Sequence, residues 1–300
     1  VAESNRKAAY LQAIRARCRE LWVETATLEA GGQNNDVLLV NGEYLFRFPR
    51  YHVGIRQLRR EAVVLSKIRE HMPLRVPEPV YFNLDTEEVG DAFLGHRIVP
   101  GEPLWPEELS GASGAGVRGT TVGDRFAHQL GGFLRALHHV SLSPELLRVL
   151  PVTDTVEGYE GFYKQVREAL YRFMRPKARD WTTRHFESYV ARAEGFTFRR
   201  VLKHGDFGPS NILFHRAEGR VTGVIDFGGT ALGDPAYDFA GLAGGYGEAF
   251  VTRCARAYPE VREMWHRLRF YLGTFALEEA LFGVEHGDEE AFHRGIRGFV

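Results

Sequence analysis

Apolar residues along the first third of the chain change their spacing several times, and each change marks a different element. Tyr10, Leu11, Ile14, Cys18, Leu21 and Trp22 recur close to a helical period, which predicts a helix over residues 4–22. Residues 25–28, 36–40 and 43–48 have strand-like length and patterning, and Asn41-Gly42 between the last two is a two-residue hairpin signal. Leu58, Val64, Leu65 and Ile68 then form the inward stripe of a helix over residues 55–69. Val76-Pro77-Glu78-Pro79 must be extended, because proline disfavours helix in the residue before it. Residues 93–99 read as one more strand, leading into Pro100-Gly101-Glu102-Pro103. Beyond it the period is helical: Phe126, Leu130, Phe133, Leu134 and Leu137 run up to His138-His139, and amphipathic stretches follow at 156–173 and 179–193. Residues 109–122, rich in Gly, Ser and Thr, read as a loop. The chain is therefore α+β, with a small mixed part followed by a larger, mainly helical one.

Inside the helical part lies one short excursion into strand, and it carries the chemistry. His204-Gly-Asp206-Phe-Gly-Pro-Ser-Asn211 contains Gly208 and Pro209, which favour an irregular loop, so Asp206 and Asn211 can both turn toward one point. Ile212-Leu213-Phe214 and residues 221–225 then form a hairpin around Gly219, and Val224-Ile225-Asp226-Phe227-Gly228 closes it. With the strands in register, Asn211 and Asp226 sit side by side at the open end, where one magnesium ion can reach both oxygens. Phosphoryl transfer needs a carboxylate to orient the acceptor hydroxyl and take its proton, and oxygen ligands for magnesium. Asp206 suits the first role, Asn211 and Asp226 the second. A lone Asp-Phe-Gly is weak, whereas an Asp-x-x-x-x-Asn loop, one hairpin and then Asp-Phe-Gly is the order of kinase catalytic and magnesium loops. Read blandly, Asp206 and Asn211 cap turns and Asp226 ends a strand.

Several further motifs extend the pattern. Together with Ile225-Asp226-Phe227-Gly228-Gly229, the runs Gly233-Asp234-Pro235-Ala236-Tyr237-Asp238-Phe239-Ala240, Phe46-Arg47-Phe48-Pro49-Arg50 and Ala276-Leu277-Glu278-Glu279-Ala280 make the chain resemble the aminoglycoside phosphotransferase-like kinases over most of its length. The resemblance implies a two-lobed protein-kinase-like fold, with a nucleotide-binding lobe over residues 1–97 and a catalytic, substrate-binding lobe over 98–300. It implies transfer of the terminal phosphate of ATP or GTP to a hydroxyl of a small molecule. Arg47 stands where kinases place the phosphate-holding lysine, and Glu61 is the matching acid. Arginine keeps the charge but is longer and forked, so the exchange is not neutral. Asn34 and Asn35 close a glycine-rich turn that would lie as a flap over the phosphates. Backbone groups between Arg97 and Val99 would meet the purine edge. Acids of the second lobe, Glu248, Glu278, Glu279 and Glu285, would receive the ammonium groups of a cationic acceptor, although each singly reads as well as a solvated helix residue. Asp234 can cap the helix that begins at Pro235, and Asp238 can anchor loop backbone.

Composition narrows the classes without choosing among them. At 44% hydrophobic and 26% charged residues this is an ordinary soluble composition. Basic and acidic residues balance at 38 against 39, so nothing suggests a nucleic-acid surface. No apolar run reaches membrane-span length, and no export leader opens the chain. Cys18 and Cys254 lack metal-ligand spacing and read as reduced thiols of a cytoplasmic protein. The start at Val1 points to a processed or trimmed terminus. His138-His139 have no Cys or acidic partner at ligand spacing and read as helix-end residues. His204 reads as structural, since a two-metal hydrolase wants more ligands than this segment offers. The reading is a magnesium-dependent kinase of a small, cationic molecule, an aminoglycoside first. Kinases of choline, homoserine or a macrolide, a nucleotide-binding regulator without turnover, and a metal-dependent hydrolase remain as alternatives.

Overall fold

The computed structural model describes residues 2–29, 34–111 and 122–300. Helix α1 (Ala2–Arg17) leads into strands β1 (Ala26–Glu29), β2 (Asn35–Val40) and β3 (Tyr44–Pro49), helix α2 (His52–Ile68), and strands β4 (Pro79–Asn83) and β5 (Phe93–Arg97). The five strands form one antiparallel sheet in the order β1-β2-β3-β5-β4. Alternation along a strand sends successive side chains to opposite faces. Leu38, Val40, Phe46, Phe48 and Phe93 therefore go to one face, where Tyr10 and Ile14 of α1 complete a small core. Arg47, between Phe46 and Phe48 and paired with Val37 and Leu94, goes to the other.

Helix α2 buries Ile55, Leu58, Val64, Leu65 and Ile68 as its periodicity predicts, with Glu61 in the same stripe. Each fully buried Leu, Ile, Val or Phe contributes about 1.5–3 kcal/mol. Burial of Glu61 in such a stripe costs free energy unless the charge is paired.

After the sheet come β6 (Glu102–Pro103), α3 (Pro106–Gly111), α4 (Val122–His138), α5 (Pro144–Val149), α6 (Val156–Ala169) and α7 (Pro176–Val190). Strands β7 (Val201–Lys203), β8 (Ile212–His215), β9 (Arg220–Val224) and β10 (Ala231–Gly233) follow, then α8 (Pro235–Tyr246), α9 (Glu248–Cys254), α10 (Trp265–His286) and α11 (Glu289–Ile296). Strand β8 pairs with β6 and β9, and β7 with β10. A large core joins α4, α8 and α10 to Val64, Leu65 and Ile68 of α2, so the two parts share apolar packing. The loop from His204 to Asn211 stands on this core through Phe207, which stacks on Phe133 with ring centroids 5.7 Å apart.

The structure corrects four local expectations. Helix α1 stops at Arg17, and Trp22 lies outside it at 78% exposure, because the chain turns at Cys18 toward β1. Asn41 and Gly42 both have positive φ, as a tight hairpin needs, but Val40 pairs with Tyr44 and so Glu43 joins the connection. The strand expected over 93–99 ends at Arg97, where the Ile98 amide leaves the ladder and donates to the Glu43 carbonyl. Of the loop expected over 109–122, Leu109 falls in α3 and Val122 opens α4; positions 112–121 lie outside the described residues. Among the described residues no helix is long and apolar enough to cross a membrane.

Candidate active site

The loop after β7 folds back on itself because Gly205 permits a φ of +82° and a close approach to Gly229, where a Cβ would collide with backbone. Asn211 ends the loop and ties it shut, its Nδ2 donating to the backbone carbonyl and to Oδ2 of Asp206, each at 2.9 Å. Among the described residues the other Asp206 carboxylate oxygen takes no hydrogen bond. Hairpin pairing continues one step past Ile212↔Val224, with the Ile225 amide donating to Asn211 at 2.9 Å. Asp226 thus follows one position past the residue that pairs with Asn211, at the open end.

Asp226 stands in the left-handed region at φ 62°, ψ 73°, a conformation that costs a non-glycine residue about 1 kcal/mol or more. Contacts around the turn hold it there. The Gly228 amide donates to Asp226 Oδ1 at 3.3 Å, and Arg47 Nη1 donates to the same oxygen at 3.1 Å. The Arg47 guanidinium also makes a buried ion pair with Glu61. Burial alone would lower the Arg47 pKa, but the charges of Glu61 and Asp226 outweigh it and raise it. Arg47, Glu61, Asp206 and Asp226 line a cavity of 160 Å³ that also takes in Asn34 and Asn35. Asn35 Oδ1 is buried there without a hydrogen-bond partner. Gly31, Gly32 and Gln33 of the expected flap lie outside the described residues.

The donor set suits magnesium. Asn211 Nδ2 is spent on Asp206, which leaves its Oδ1 available, and Asp226 is half open to solvent through a carboxylate with one oxygen uncommitted. Both are hard oxygen ligands, and magnesium fills its other positions with water and phosphate oxygens.

Buried polar residues hold this loop from beneath. Asp238 accepts from the amides of His204 at 2.8 Å and Gly205 at 2.9 Å, and pairs with His138 Nε2 at 3.0 Å. Burial would raise the Asp238 pKa, yet the His138 bond and the neighbouring donors leave it lowered. His138 ends α4 as expected, and it is also buried on a partner a hundred positions along the chain. His204 packs against Phe207 and Phe227 and bonds the Ile225 carbonyl through Nε2 at 3.1 Å, a structural place. Asp234 caps α8 through the Ala236 amide and takes Arg267 Nε at 2.6 Å and the Tyr271 hydroxyl at 2.9 Å.

On its far side Asp206 opens into a second cavity, of 580 Å³, which includes Tyr237, Phe275, Glu278, Glu279 and Phe282. Asp206 is exposed by surface area, yet protein atoms crowd around its carboxyl. Its pKa is raised by that burial first, with Asp226 adding and His204 and Asn211 opposing. Glu278 accepts from the Tyr237 hydroxyl at 3.0 Å and Thr274 Oγ1 at 2.7 Å; burial nonetheless leaves its pKa raised. Glu279 is engaged by Arg294 at 2.7 Å.

The other two expected acids are not brought here. Glu248 is held by both arms of Arg269 at 2.8 Å, and Glu285 is exposed near the end of α10. Arg97 turns its side chain to Glu43 and lies over the Tyr44 ring at 5.1 Å. With Val99 it borders a separate 470 Å³ concavity.

Sequence reasoning missed three residues around the site. Lys203 is buried between Asp154, at 2.8 Å, and the Tyr237 ring, at 3.5 Å, and its charge acts on Glu278. Arg60 donates to the Gly228 carbonyl. His96, on the Arg47 face of the sheet, is neutral because burial, with the Arg47 charge adding, pushes its pKa down to about 4. Only the position of Lys203 next to His204 offered a signal.

A strand-rich lobe with a buried Arg–Glu pair, set over a helical lobe with an Asp-Asn loop and an Asp-Phe-Gly turn, is the architecture of kinase-like phosphotransferases. Residues 25–271 match the family model described as "Phosphotransferase enzyme family", and the chain belongs to that family. It is 28% identical over 256 residues to viomycin phosphotransferase of Streptomyces vinaceus, covering 84% of this chain and 85% of that protein. Its fold is similar to that of APH(2")-IIia in complex with GDP and kanamycin, with TM-score 0.86, 24% identity and 96% of both chains covered. It is also similar to a macrolide 2'-phosphotransferase type I, with TM-score 0.75, 18% identity and 98% and 96% covered.

Proposed function

We propose that the protein is a magnesium-dependent kinase that moves the terminal phosphate of ATP or GTP to a hydroxyl of a small cationic molecule, an aminoglycoside first. The observation that carries this is Asp206 lying between two cavities, one with Arg47 and Asp226, the other with Glu278 and Glu279. Nucleotide phosphates fit the first and the acceptor fits the second. Residues 1–97 would bind the nucleotide, and residues 98–300 would supply catalysis and the acceptor site.

In this reading the acceptor oxygen attacks the terminal phosphorus, its proton passes to the free carboxylate oxygen of Asp206, and the bond to the nucleoside diphosphate breaks. Asn211 holds the other Asp206 oxygen, so the carboxylate cannot rotate away. Arg47, anchored by Glu61, faces the phosphates with its guanidinium. Magnesium held by Asn211 and Asp226 would neutralise charge that develops on the phosphates. Glu278 favours an ammonium-bearing acceptor over a neutral one. The names of the relatives support the choice: viomycin for one, kanamycin in the structure of another.

The test is nucleoside diphosphate release with magnesium and ATP or GTP across aminoglycosides, viomycin, a macrolide, choline and homoserine. Release that depends on a cationic acceptor is expected, together with its collapse in Asp206→Ala while nucleotide still binds. Near-normal turnover in Asp206→Ala rejects the mechanism.

A further inference from the structure

Helix α2 grips the Asp226-Phe227-Gly228 turn with two neighbouring residues. Glu61 reaches it through Arg47, whose Nη1 bonds Asp226 Oδ1, and through the Phe227 backbone amide. Arg60 reaches it directly, with Nη2 donating to the Gly228 carbonyl. The turn needs such support, because Asp226 holds a left-handed conformation that a side chain disfavours. Its near end carries the carboxylate; its far end is the carbonyl that Arg60 holds.

Arg60 is poorly explained by stability alone. It is half-buried, and among the described residues its Nε is buried without a hydrogen-bond partner and its one bond goes to a backbone oxygen. Burial lowers its pKa, with Glu61 opposing. Among the described residues a guanidinium is desolvated here for a single hydrogen bond, and that bond holds the turn that carries the Asp226 carboxylate.

We propose that Arg60 is a positioning residue that sets metal affinity at the nucleotide site, by fixing the Asp226 carboxylate through the Gly228 carbonyl. This rests on the kinase reading above. Residues that orient a metal ligand typically change affinity or activity by about 10–100-fold when removed.

The experiment measures Mn2+ binding by electron paramagnetic resonance, with a non-hydrolysable ATP or GTP analogue, in wild type, Arg60→Met and Arg60→Lys. Arg60→Met should weaken Mn2+ about 10-fold or more, with kcat falling in step and the acceptor KM within about twofold. Arg60→Lys keeps a charged donor and should fall between, which also serves if Arg60→Met folds poorly. A lower Tm with Mn2+ affinity within about twofold of wild type in both variants would overturn the proposal alone. Absence of Mn2+–nucleotide binding in the wild type would overturn the kinase reading together with it.

Discussion

Asn211 Nδ2 donates twice to Asp206, to its backbone carbonyl and to its carboxylate Oδ2, each at 2.9 Å. One amide therefore closes the loop and orients the carboxylate, while its own oxygen remains for a metal. The charge state of that carboxylate then sets the pH dependence. Burial raises the Asp206 pKa, and the base acts only when ionised. Activity should accordingly be full at high pH and fall as pH drops through the raised value. A kcat/KM profile for the nucleotide, which reports the free enzyme, should show an acid limb above the ordinary carboxylate value of about 3.9. Placement at or below that value rejects the assignment of Asp206 as the base.

Asn211→Ala removes both the tether and the metal oxygen. It should lower kcat by about 10–100-fold and raise the magnesium concentration needed for half-maximal rate. A variant within about twofold of wild type in both quantities would show that neither contact matters to turnover.

Glu278 and Glu248 should separate in acceptor kinetics. Glu278 lines the cavity beside Asp206, whereas Glu248 is spent on Arg269. Glu278→Gln should raise KM for a cationic acceptor about 10-fold or more, since a charged hydrogen bond contributes about 1.5–3 kcal/mol. Nucleotide KM should not move. Glu248→Gln should leave both unchanged, and equal effects in the two variants would deny the cavity its role.

His96 links stability to pH. Its folded pKa, near 4, lies below the unfolded value of about 6.5, so the unfolded chain binds the extra proton. Stability from the neutral imidazole is fully present above about pH 6.5 and is lost as pH falls toward 4, up to about 3 kcal/mol. Urea unfolding at pH 7 and pH 5 should show wild type losing about 2 kcal/mol more than His96→Leu, and the same loss in both would refute the linkage.

Much of the fold and of the candidate site's local geometry was legible in the sequence because the information is local. The apolar stripe of α2 follows from helical periodicity, and Phe46, Arg47 and Phe48 alternate between faces because a strand must. Asp206, Asn211 and Asp226 lie within one loop and one hairpin, so turn chemistry and strand register bring them together with little help from the rest of the chain.

Only tertiary packing decided which charged residues face the site. Glu248 and Glu278 look alike in sequence, yet Arg269, 21 positions on, captures the first, while Tyr237 and Thr274 turn the second toward Asp206. His138 ends α4 as its spacing predicts, but only the packing of α8 brings Asp238 against it, and nothing beside Arg60 announces Gly228. Backbone conformation is set by neighbours along the chain, so it can be read there. The partner of a buried charge is set by which elements pack together, because only that packing removes the water and leaves one group able to satisfy it.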